Sequence, residues 1–403
     1  MSGWASRRYG TTSPFASLVG EISDAKAEYY VTMSLRNACV TFFPERDTRY
    51  RSQFVSREGV TAVLHGFSEY DMGYRRLATV RPERPQDRTS LAACERRSLG
   101  LAVPMSSNNL YHQAFHAVPA WEMLRAHASA DTTLIPLVFS SAAFGRGGKA
   151  IKPRRWFAWE FTVRALSNAS SSALLAATQA LVEARCTCFD RVEADASAFN
   201  PSARGATSRL RAFRARALYN NAVANAGAVD RHARRSLLFV SRVGSRRVAT
   251  NEASLLSRLQ AATARVQRVV LEELPFAEQM SLVASSAGLI AVHGQALAWM
   301  LFLPTESART AVVEILIWSG RQRIRINDCY QDWAASLQVK YWRVRSEASV
   351  CPPTDKRRSK VNPLQLLNEC NVTVDADRLL GVVRLADAWT AGGGGDGRGG
   401  VLY

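Results

Sequence analysis

A histidine–glycine pair stands where a ligand site is expected. His293 and Gly294 follow the short aliphatic run 289–292 and precede a predicted helix at 295–303. Such a run is typical of a parallel strand that is buried on both faces. Ligands of open α/β sheets lie at the carboxyl ends of strands, and the free N–H groups of a helix N-terminus attract phosphate. The pattern therefore predicts an anion site around His293, Gly294 and Gln295.

A second predicted strand, residues 237–240, leads into a loop that is rich in arginine. The arginines are Arg242, Arg246 and Arg247. Guanidinium groups make charge-assisted, often bidentate hydrogen bonds to phosphate oxygens, so these side chains are candidates for the same site. The alternative for each of them is a solvated basic loop. Asn251 or Thr250 can cap the helix that follows, 252–260.

The elements that position these residues alternate between strand and helix. In chain order they are strand 237–240, helix 252–260, strand 269–271, helix 275–285, strand 289–292, helix 295–303 and strand 312–315. Pro275 fits the first turn of its helix. The alternation predicts an α/β fold with a doubly wound, nucleotide-binding sheet.

The N-terminal half has weaker patterns. Strands are predicted at 62–64, 133–139 and 156–162, and helices at 110–126 and 210–220. Residues 190–208 are rich in Asp, Ala, Ser, Asn, Pro and Gly, which predicts a loop or hinge. Residues 391–400 are rich in glycine and are expected to be unstructured.

Three blocks of sequence resemble glycosyltransferase family 61 and stand in the family's order. They are NNLYHQAFHAVPAWEML at 108–124, SRVGSRRVATNE at 241–252 and AVHGQALAWMLFLP at 291–304. The stretch NVTVDADRLLGVVRLA, at 371–386, is also similar to the family's closing helix. Several spaced blocks are more specific than one motif. The family includes plant xylan xylosyl- and arabinosyltransferases and animal protein O-linked N-acetylglucosaminyltransferases.

The resemblance implies a GT-B fold, in which two Rossmann-like domains face each other across a cleft. The expected parts are an acceptor-side domain at 1–208, a helix and linker at 209–234, a nucleotide-sugar-binding domain at 235–388 and a disordered tail at 389–403. The implied reaction is inverting transfer from a UDP-sugar to a glycan or glycoprotein hydroxyl. Xylose or arabinose is favoured over N-acetylglucosamine, because the blocks look closer to the plant branch.

Donor contacts are expected from the residues at the carboxyl ends of the predicted strands. The expected donor-binding set is Arg242, Arg246, Arg247, Asn251, His293, Gly294, Gln295 and Glu314. Glu314 lies in an apolar strand, where an unpaired carboxylate is costly, so it should pair with an arginine or bind the ribose hydroxyls. The alternative for His293 is a buried histidine satisfied by backbone.

His112 and His116 are the candidates for the acceptor-side base. They lie one helical turn apart and so share a face, and imidazole has an ordinary pKa of about 6.5, which suits proton acceptance. The family has an aspartate where His116 stands. It also has Ala-Gly where this chain has Gln295 and Ala296, which adds side-chain bulk near the expected diphosphate. Packing at a domain interface is the alternative for the two histidines.

No metal or other cofactor is expected, because arginines and a helix N-terminus can stabilise the leaving diphosphate. Asp375-Ala-Asp377 matches the Asp-x-Asp metal signature of other sugar transferases. Asp375 is instead predicted to cap a helix at 376–386, with Asp377 near the positive end of that helix. The pair Cys186 and Cys188 lacks the spacing of a zinc knuckle.

The formal net charge of +18 allows a rival function, binding of nucleic acid or another polyanion. Nucleic acid is not expected as a partner, because the sequence shows neither a nucleic-acid module nor basic residues interleaved with stacking aromatics. A third hypothesis is a catalytically degenerate family member that binds glycans, motivated by Gln295, Ala296 and His116.

The family implies a protein of the Golgi or endoplasmic reticulum lumen. Residues 1–40 show no signal peptide core and no apolar run of about 20 residues, so a membrane anchor is expected to be missing from this chain. The uncharged stretch 280–303 contains serines, glycines and His293, which argues against a membrane span. Seven cysteines leave at least one unpaired within the chain, and sequons begin at Asn168 and Asn371.

Overall fold

The structure of the chain is a computed structural model. It describes residues 28–30, 32–44, 49–58, 62–68, 73–104, 110–127, 132–140, 180–181, 186–195, 205–221, 223, 235–242, 247–263, 265–304, 309–318, 329–351, 370–392 and 401–402. The chain divides into two compact units, Met1–Asn200 and Pro201–Tyr403.

The described part of the first unit is built around one mixed sheet. Its elements are β1 (Glu28–Tyr30), β2 (Thr32–Pro44), β3 (Arg49–Ser56), β4 (Ala62–Ser68), β5 (Gly73–Pro82), α1 (Asp87–Ala92), β6 (Glu95–Val103), α2 (Leu110–His127), β7 (Thr132–Pro136), β8 (Val138–Ser140) and β9 (Thr187–Asp195). The strand order is β1-β4-β5-β3-β2-β9-β6-β7, with β8 beside β3. Strand β2 runs antiparallel to both of its neighbours. The sheet therefore differs from the mainly parallel sheet that a Rossmann-like domain predicts.

The predictions for the first unit are partly confirmed. The predicted helix at 110–126 is α2, and the strand at 62–64 lies within β4. The predicted strand 133–139 is instead two strands, because β7 pairs with β6 whereas β8 pairs with β3. The predicted loop 190–208 is wrong at both ends, since β9 continues to Asp195 between β2 and β6 and a helix begins at Ala206. The predicted strand 156–162 lies outside the described residues.

Three disulfide bonds join six of the seven cysteines. Cys39 and Cys188 are register partners on β2 and β9 and are bonded to each other. The other two bonds are Cys94–Cys186 and Cys351–Cys370. Disulfides persist in oxidising compartments, so the pairing agrees with a protein of the secretory pathway. It also gives Cys186 and Cys188 a covalent role in place of metal ligation.

The second unit contains a parallel sheet with helices between its strands. Its elements are α3 (Ala206–Asn220), β10 (Leu237–Val240), α4 (Glu252–Ala262), β11 (Val266–Val269), α5 (Phe276–Ser285), β12 (Gly288–Val292), β13 (Ala311–Leu316), α6 (Cys329–Leu337), β14 (Lys340–Arg345), β15 (Ala348–Val350), β16 (Asn371–Thr373), α7 (Ala376–Thr390) and β17 (Val401–Leu402), with 3₁₀ helices at Leu271–Glu273 and Gln295–Phe302. The predicted alternation and the α/β class are confirmed.

The strand order of this sheet places two predicted site segments together. The order is β11-β10-β12-β13-β14-β17, and every neighbouring pair is parallel. The chain moves from β10 to β11 on one side and then to β12 on the other, so the direction of winding reverses between β10 and β12. Doubly wound sheets bind ligands at this switch point, outside the carboxyl ends of the strands. Those ends lead directly to Arg242 and His293.

The core of the second unit explains why its strands could be predicted from the sequence. All four residues of β10 and all five of β12 are buried, as is most of β13. Phe239, Ile290 and Val313 pack in one cluster with residues of α4 and α7, among them Leu255 and Leu379. A strand buried on both faces is a nearly continuous apolar run, and the sequence shows this pattern with Glu314 of β13 as the exception.

Several local predictions for the second unit are corrected. Strand β11 begins and ends earlier than the predicted 269–271, because Leu271–Glu273 forms a 3₁₀ turn. Pro275 is the N-cap of α5, with extended backbone, rather than a first-turn residue. The segment after Gly294 is a 3₁₀ helix. Val401–Leu402 pairs with β14, which would otherwise have an open edge, so these residues are not disordered.

The uncharged stretch 280–303 forms parts of α5, β12 and the 3₁₀ helix Gln295–Phe302. Within the part of the chain that the structure describes, no helix combines the length and apolarity that a membrane crossing requires.

Replacement of Gly288 should destabilise the second unit. A Cβ added to Gly288 would lie 2.0 Å from the carbonyl oxygen of Ala311 on β13, so the two strands must separate. We expect Gly288→Ala to lower the free energy of unfolding by about 1–3 kcal/mol or more. The matched control is Gly381→Ala on α7, where an added Cβ meets nothing within 4 Å. The control should gain about 0.5–1 kcal/mol from helix propensity. Denaturant titration measures both, and equal stability of Gly288→Ala and wild type would contradict the close approach.

Candidate functional site

Two arginines lie against the backbone of Gly294 at the switch point. A Cβ added to Gly294 would lie 2.6 Å from Nη1 of Arg247 and 3.2 Å from Nη1 of Arg242. Gly294 also has a φ of +151°, which residues with side chains rarely adopt. Conformation and packing therefore both require glycine here, and the result is two positive groups beside the peptide backbone of a buried residue.

Arg242 has an unused hydrogen-bond donor in this place. Its Nη1 is buried and has no hydrogen-bond partner among the described residues. Arg247, in contrast, donates from Nη1 to the carbonyl oxygen of His293 at 3.4 Å. A buried guanidinium N–H without an acceptor is costly, and an anionic ligand at the switch point would satisfy it.

Glu314 is the centre of a buried charge network beside this point. The residue is 0% exposed, and its carboxylate contacts three side chains. Nδ1 of His293 lies 2.5 Å from Oε1, and Oε2 accepts hydrogen bonds from the Tyr341 hydroxyl at 2.5 Å and from Arg343 Nε at 3.0 Å. The predicted pairing with an arginine is thus present. The carboxylate is occupied by protein groups rather than being open to ribose hydroxyls, so its effect on a ligand passes through His293.

The network determines the protonation of its members. Burial raises the pKa of Glu314, but the hydrogen bond and charge of His293, the hydrogen bond from Tyr341 and the charge of Arg343 outweigh it and hold this pKa below its ordinary value. Burial, together with the charge of Glu314, raises the pKa of Tyr341 well above its ordinary value. Glu314 is therefore ionised and Tyr341 protonated at neutral pH.

The carboxylate also orients the imidazole of His293. Because Nδ1 faces a carboxylate, Nδ1 carries a proton and Nε2 is the nitrogen left for a ligand. The ring also packs edge-on against Tyr330, with centroids 5.3 Å apart. His293 is only 14% exposed at its side chain, so contacts on two sides hold it beside Gly294.

Gln295 begins the 3₁₀ helix directly after Gly294. The first intrahelical bond runs from the N–H of Leu297 to the carbonyl oxygen of Gly294, at 3.0 Å. The N–H groups of Gln295 and Ala296 precede this bond and have no intrahelical acceptor. The expected helix N-terminus is therefore present at the switch point, although in a 3₁₀ helix.

Asn251 occupies the N-cap position of α4 but does not cap it with its side chain. Its Nδ2 donates to the carbonyl oxygen of Val374 at 2.8 Å, and its Oδ1 accepts from the Val374 N–H at 3.2 Å. The side chain thus joins the arginine loop to the segment after β16, and its role in donor binding stays a prediction. Arg246 lies outside the described residues.

His116 is buried in the first unit, with 3% exposure, on helix α2. Its neighbours Ala117, Val118 and Ala120 are buried as well. His112 belongs to the same helix, and its side chain lies outside the described part of the chain. The role of the two histidines as acceptor-side base stays a prediction.

The Asp-x-Asp pair has the structural role that was predicted. Asp375 caps α7, because its Oδ1 accepts the N–H groups of Asp377 and Arg378 at 3.0 Å each. Asp377 pairs with Arg258. Across the described ranges, no group of three His, Cys, Asp or Glu side chains is arranged to hold a metal ion.

Two residues of the network, Tyr341 and Arg343, were missed by sequence reasoning. Both lie on β14, and Arg343 is the register partner of Glu314 on β13. A signal was available, because residues two apart on a strand share a face and the run KYWRVR places a tyrosine and an arginine in this way. What the run could not show is that this face meets Glu314.

A family model described as Glycosyltransferase 61 matches residues 101–313, which is more than half of the 403-residue chain. The chain belongs to glycosyltransferase family 61. The match covers α2, the arginine loop and the His293–Gly294 segment. Membership assigns the chain to the glycosyltransferases, which require a donor and an acceptor, and to a family generally found in the secretory pathway.

Other comparisons add little to the family 61 assignment. No curated protein matches the chain. Among solved structures, the metal-soaked Flv1 flavodiiron core from Synechocystis sp. PCC6803 is similar at 12% identity and a TM-score of 0.20, over 50% of this chain and 48% of that one. The family 61 chain thus spans about half the length of that protein, and a TM-score this low supports no inference.

Neutralising Glu314 should destabilise this family 61 member and remove part of its acid sensitivity. Loss of one partner from a buried ion pair costs about 3–5 kcal/mol, so we expect Glu314→Gln to lower the free energy of unfolding by a similar amount at neutral pH. Exposed Glu278→Gln is the control and should change it by less than about 0.5 kcal/mol.

The pH dependence has a definite sign. A carboxyl group whose pKa is lowered by folding stabilises fully above its unfolded pKa of about 4.3 and loses this contribution as the pH falls through the folded value. The difference in stability between wild type and Glu314→Gln should therefore shrink below about pH 4.3. Denaturant titrations at several pH values measure it, and a constant difference would contradict the lowered pKa.

Proposed function

We propose that this family 61 member is an inverting glycosyltransferase that moves a sugar from a UDP-sugar to a hydroxyl group of a glycan or glycoprotein. Xylose or arabinose is the preferred sugar, with N-acetylglucosamine as the alternative. The observation that carries the proposal is the pair of guanidinium groups against Gly294, with a buried and unpartnered N–H on Arg242, at the switch point of a doubly wound sheet.

The donor diphosphate is proposed to lie at this switch point. Arg242 and Arg247 supply positive charge, and the N–H groups that begin the 3₁₀ helix, at Gln295 and Ala296, supply neutral donors. Such groups stabilise the transition state most where negative charge develops, which here is on the leaving diphosphate. Nε2 of His293, the ring nitrogen that does not contact Glu314, is proposed to contact a phosphate or the sugar. Arg246 and Asn251 are assigned to the donor site by family resemblance alone.

The proposed reaction is a single displacement at the anomeric carbon. The acceptor oxygen forms a bond to that carbon while the bond from carbon to the diphosphate oxygen breaks, which inverts the configuration. The acceptor proton passes to an imidazole of helix α2, with His116 as the first candidate and His112 as the second. The electron pair of the broken bond leaves with UDP, and the arginines balance its charge. No metal or other cofactor is assigned a role.

The parallel sheet of the second unit supports a donor-binding half of the GT-B type. We propose that the first unit supplies the acceptor-side half, as the family implies, although its sheet is mixed. We also propose that the protein works in the lumen of the Golgi or endoplasmic reticulum. The disulfide bonds Cys39–Cys188, Cys94–Cys186 and Cys351–Cys370 support an oxidising compartment.

Donor binding should raise the thermal stability of the purified protein selectively. We expect UDP and UDP-sugars to raise the Tm, with or without EDTA, because a ligand at 100 times its Kd adds about 2.7 kcal/mol to the free energy of unfolding. Arg242→Ala should lose the shift. The control, Arg384→Ala on the exposed face of α7, removes the same charge and should keep it.

A thermal shift scan across a nucleotide panel makes the measurement. A shift that needs a divalent ion would contradict the cofactor assignment. The absence of any shift in wild type would favour a degenerate or polyanion-binding protein.

Replacement of His116 should slow sugar transfer while donor binding is retained. General base catalysis contributes about 10²–10⁴-fold, so His116→Ala should lower kcat by that factor. The UDP-induced thermal shift of the variant shows that it is folded and binds donor. His112→Ala is tested in parallel, and NMR of the product reports the anomeric configuration. Full activity in both variants, or retained configuration, would refute the proposed mechanism.

A further inference from the structure

The arginine segment, residues 247–251, is held along β16 and its flanks by backbone hydrogen bonds. The N–H of Arg247 donates to the carbonyl oxygen of Cys370 at 3.1 Å. The Val372 N–H donates to Val248 O at 2.9 Å, and the Thr250 N–H donates to Val372 O at 2.7 Å. Ala249 and Val372 form a parallel bridge. The segment therefore behaves as a short strand added to β16.

Side chains reinforce the same contact. Oδ1 of Asn371 accepts a hydrogen bond from the N–H of Val248 at 3.1 Å. The hydroxyl groups of Thr250 and Thr373 lie 2.9 Å apart, within hydrogen-bond distance. The two bonds between Asn251 and Val374 continue the contact beyond β16. The bonds begin at Arg247 itself, so they fix the direction in which its side chain leaves the backbone.

Arg247 needs such support because its backbone is strained. Its φ is +55°, in the left-handed region that residues with a Cβ seldom occupy. From this conformation its guanidinium reaches Gly294 and the carbonyl oxygen of His293. A different backbone conformation at Arg247 would aim the side chain elsewhere. The position of the Cys370 carbonyl, which accepts its N–H, is therefore part of the geometry of the anion site.

A disulfide bond fixes Cys370. It joins Cys370, which is buried, to Cys351, 19 residues away in sequence. The two cysteines directly flank the register pair Val350 and Asn371 on the antiparallel strands β15 and β16. The bond thus joins β16 to β15 at the N-terminal end of β16, where the carbonyl oxygen of Cys370 accepts the hydrogen bond from the Arg247 N–H.

We propose that the Cys351–Cys370 disulfide and Asn371 are positioning elements for the donor diphosphate, which act by holding Arg247 against Gly294. This inference rests on the proposed donor site. Neither element touches the ligand. The sequon at Asn371 thereby has a structural use, because the side-chain oxygens of Asn371 and Thr373 already bond the arginine segment.

The first test compares two disulfide-deletion variants for UDP binding by calorimetry. Cys351→Ser with Cys370→Ser should weaken UDP binding at least tenfold. The matched control, Cys39→Ser with Cys188→Ser, removes a disulfide from the first unit and should leave the Kd of UDP within about twofold of wild type, because the bonds described for the arginine segment all lie within the second unit. UDP binding of wild-type strength in the first variant would overturn the proposal.

A second pair of variants keeps both disulfides and covers the case in which a cysteine variant fails to fold. Asn371→Ala removes the acceptor of the Val248 N–H and should weaken UDP binding several-fold. Asn371→Asp retains an oxygen acceptor and should restore most of the affinity. Both changes remove the sequon, so a glycan cannot account for a difference between them. Wild-type affinity in Asn371→Ala would overturn the role of this side chain.

Amide hydrogen exchange without ligand separates this inference from the proposed function. The N–H groups of Arg247, Val248 and Thr250 should exchange faster in the variant that lacks Cys351 and Cys370 than in wild type. If wild type fails to bind UDP, the proposed donor site is wrong. The exchange data still show whether the Cys351–Cys370 disulfide holds the arginine segment. Unchanged exchange at these three amides would show that the disulfide does not hold the arginine segment.

Discussion

The candidate site of the second unit depends on the hydrogen bonds and ion pairs of the buried Glu314 carboxylate. A charge without solvent is tolerated only when hydrogen-bond donors surround it, and here His293, Tyr341 and Arg343 provide them. These groups come from the end of β12 and from β14, on either side of Glu314 in β13. The register of three strands and the ionisation of one carboxylate therefore depend on each other. The orientation of the His293 ring beside Gly294 follows from both.

Positive charge is concentrated where the sheet changes its direction of winding. Arg242 and Arg247 approach the backbone of Gly294, and no carboxylate is bonded to the buried Nη1 of Arg242 in the described residues. Arg247 holds a left-handed backbone conformation. The hydrogen bonds to β16 and the Cys351–Cys370 bond oppose the relaxation of this arrangement. Arg242 thus offers a donor without a partner among the described residues, whereas Arg247 is held by its bonds to the carbonyl oxygens of Cys370 and His293. Donors that are held in place in advance suit an anion site, because they need little reorganisation when the ligand binds.

The first unit uses covalent bonds in another way. Cys39–Cys188 joins neighbouring strands, and Cys94–Cys186 lies beside it in a cluster with Val55 and Leu91. The mixed sheet puts β9 between an antiparallel and a parallel neighbour, a topology that alternation of strands and helices does not produce. The family assignment spans both units, from residue 101 to residue 313. Family membership therefore applies to an architecture whose two halves have different sheets.

The sequence by itself determined the order of elements around the site and the family. The bounds of β10 were predicted as observed, those of β12 differ by one residue at one end, and those of β13 differ by one residue at each end. Strands buried on both faces are mainly apolar, and such runs are visible in the sequence. The cap formed by Asp375 was predictable for a similar reason, since its acceptors and donors lie within three residues. These features are local, so a local pattern is sufficient to predict them.

Only the tertiary structure decided which distant groups meet. Tyr341 and Arg343 contact Glu314 because β14 lies beside β13, and Asn251 bonds Val374 across more than a hundred residues. The disulfide pairs and the mixed sheet of the first unit are of the same kind. Which separated segments pair depends on the packing of the whole unit. A local pattern of residue types therefore cannot predict this pairing.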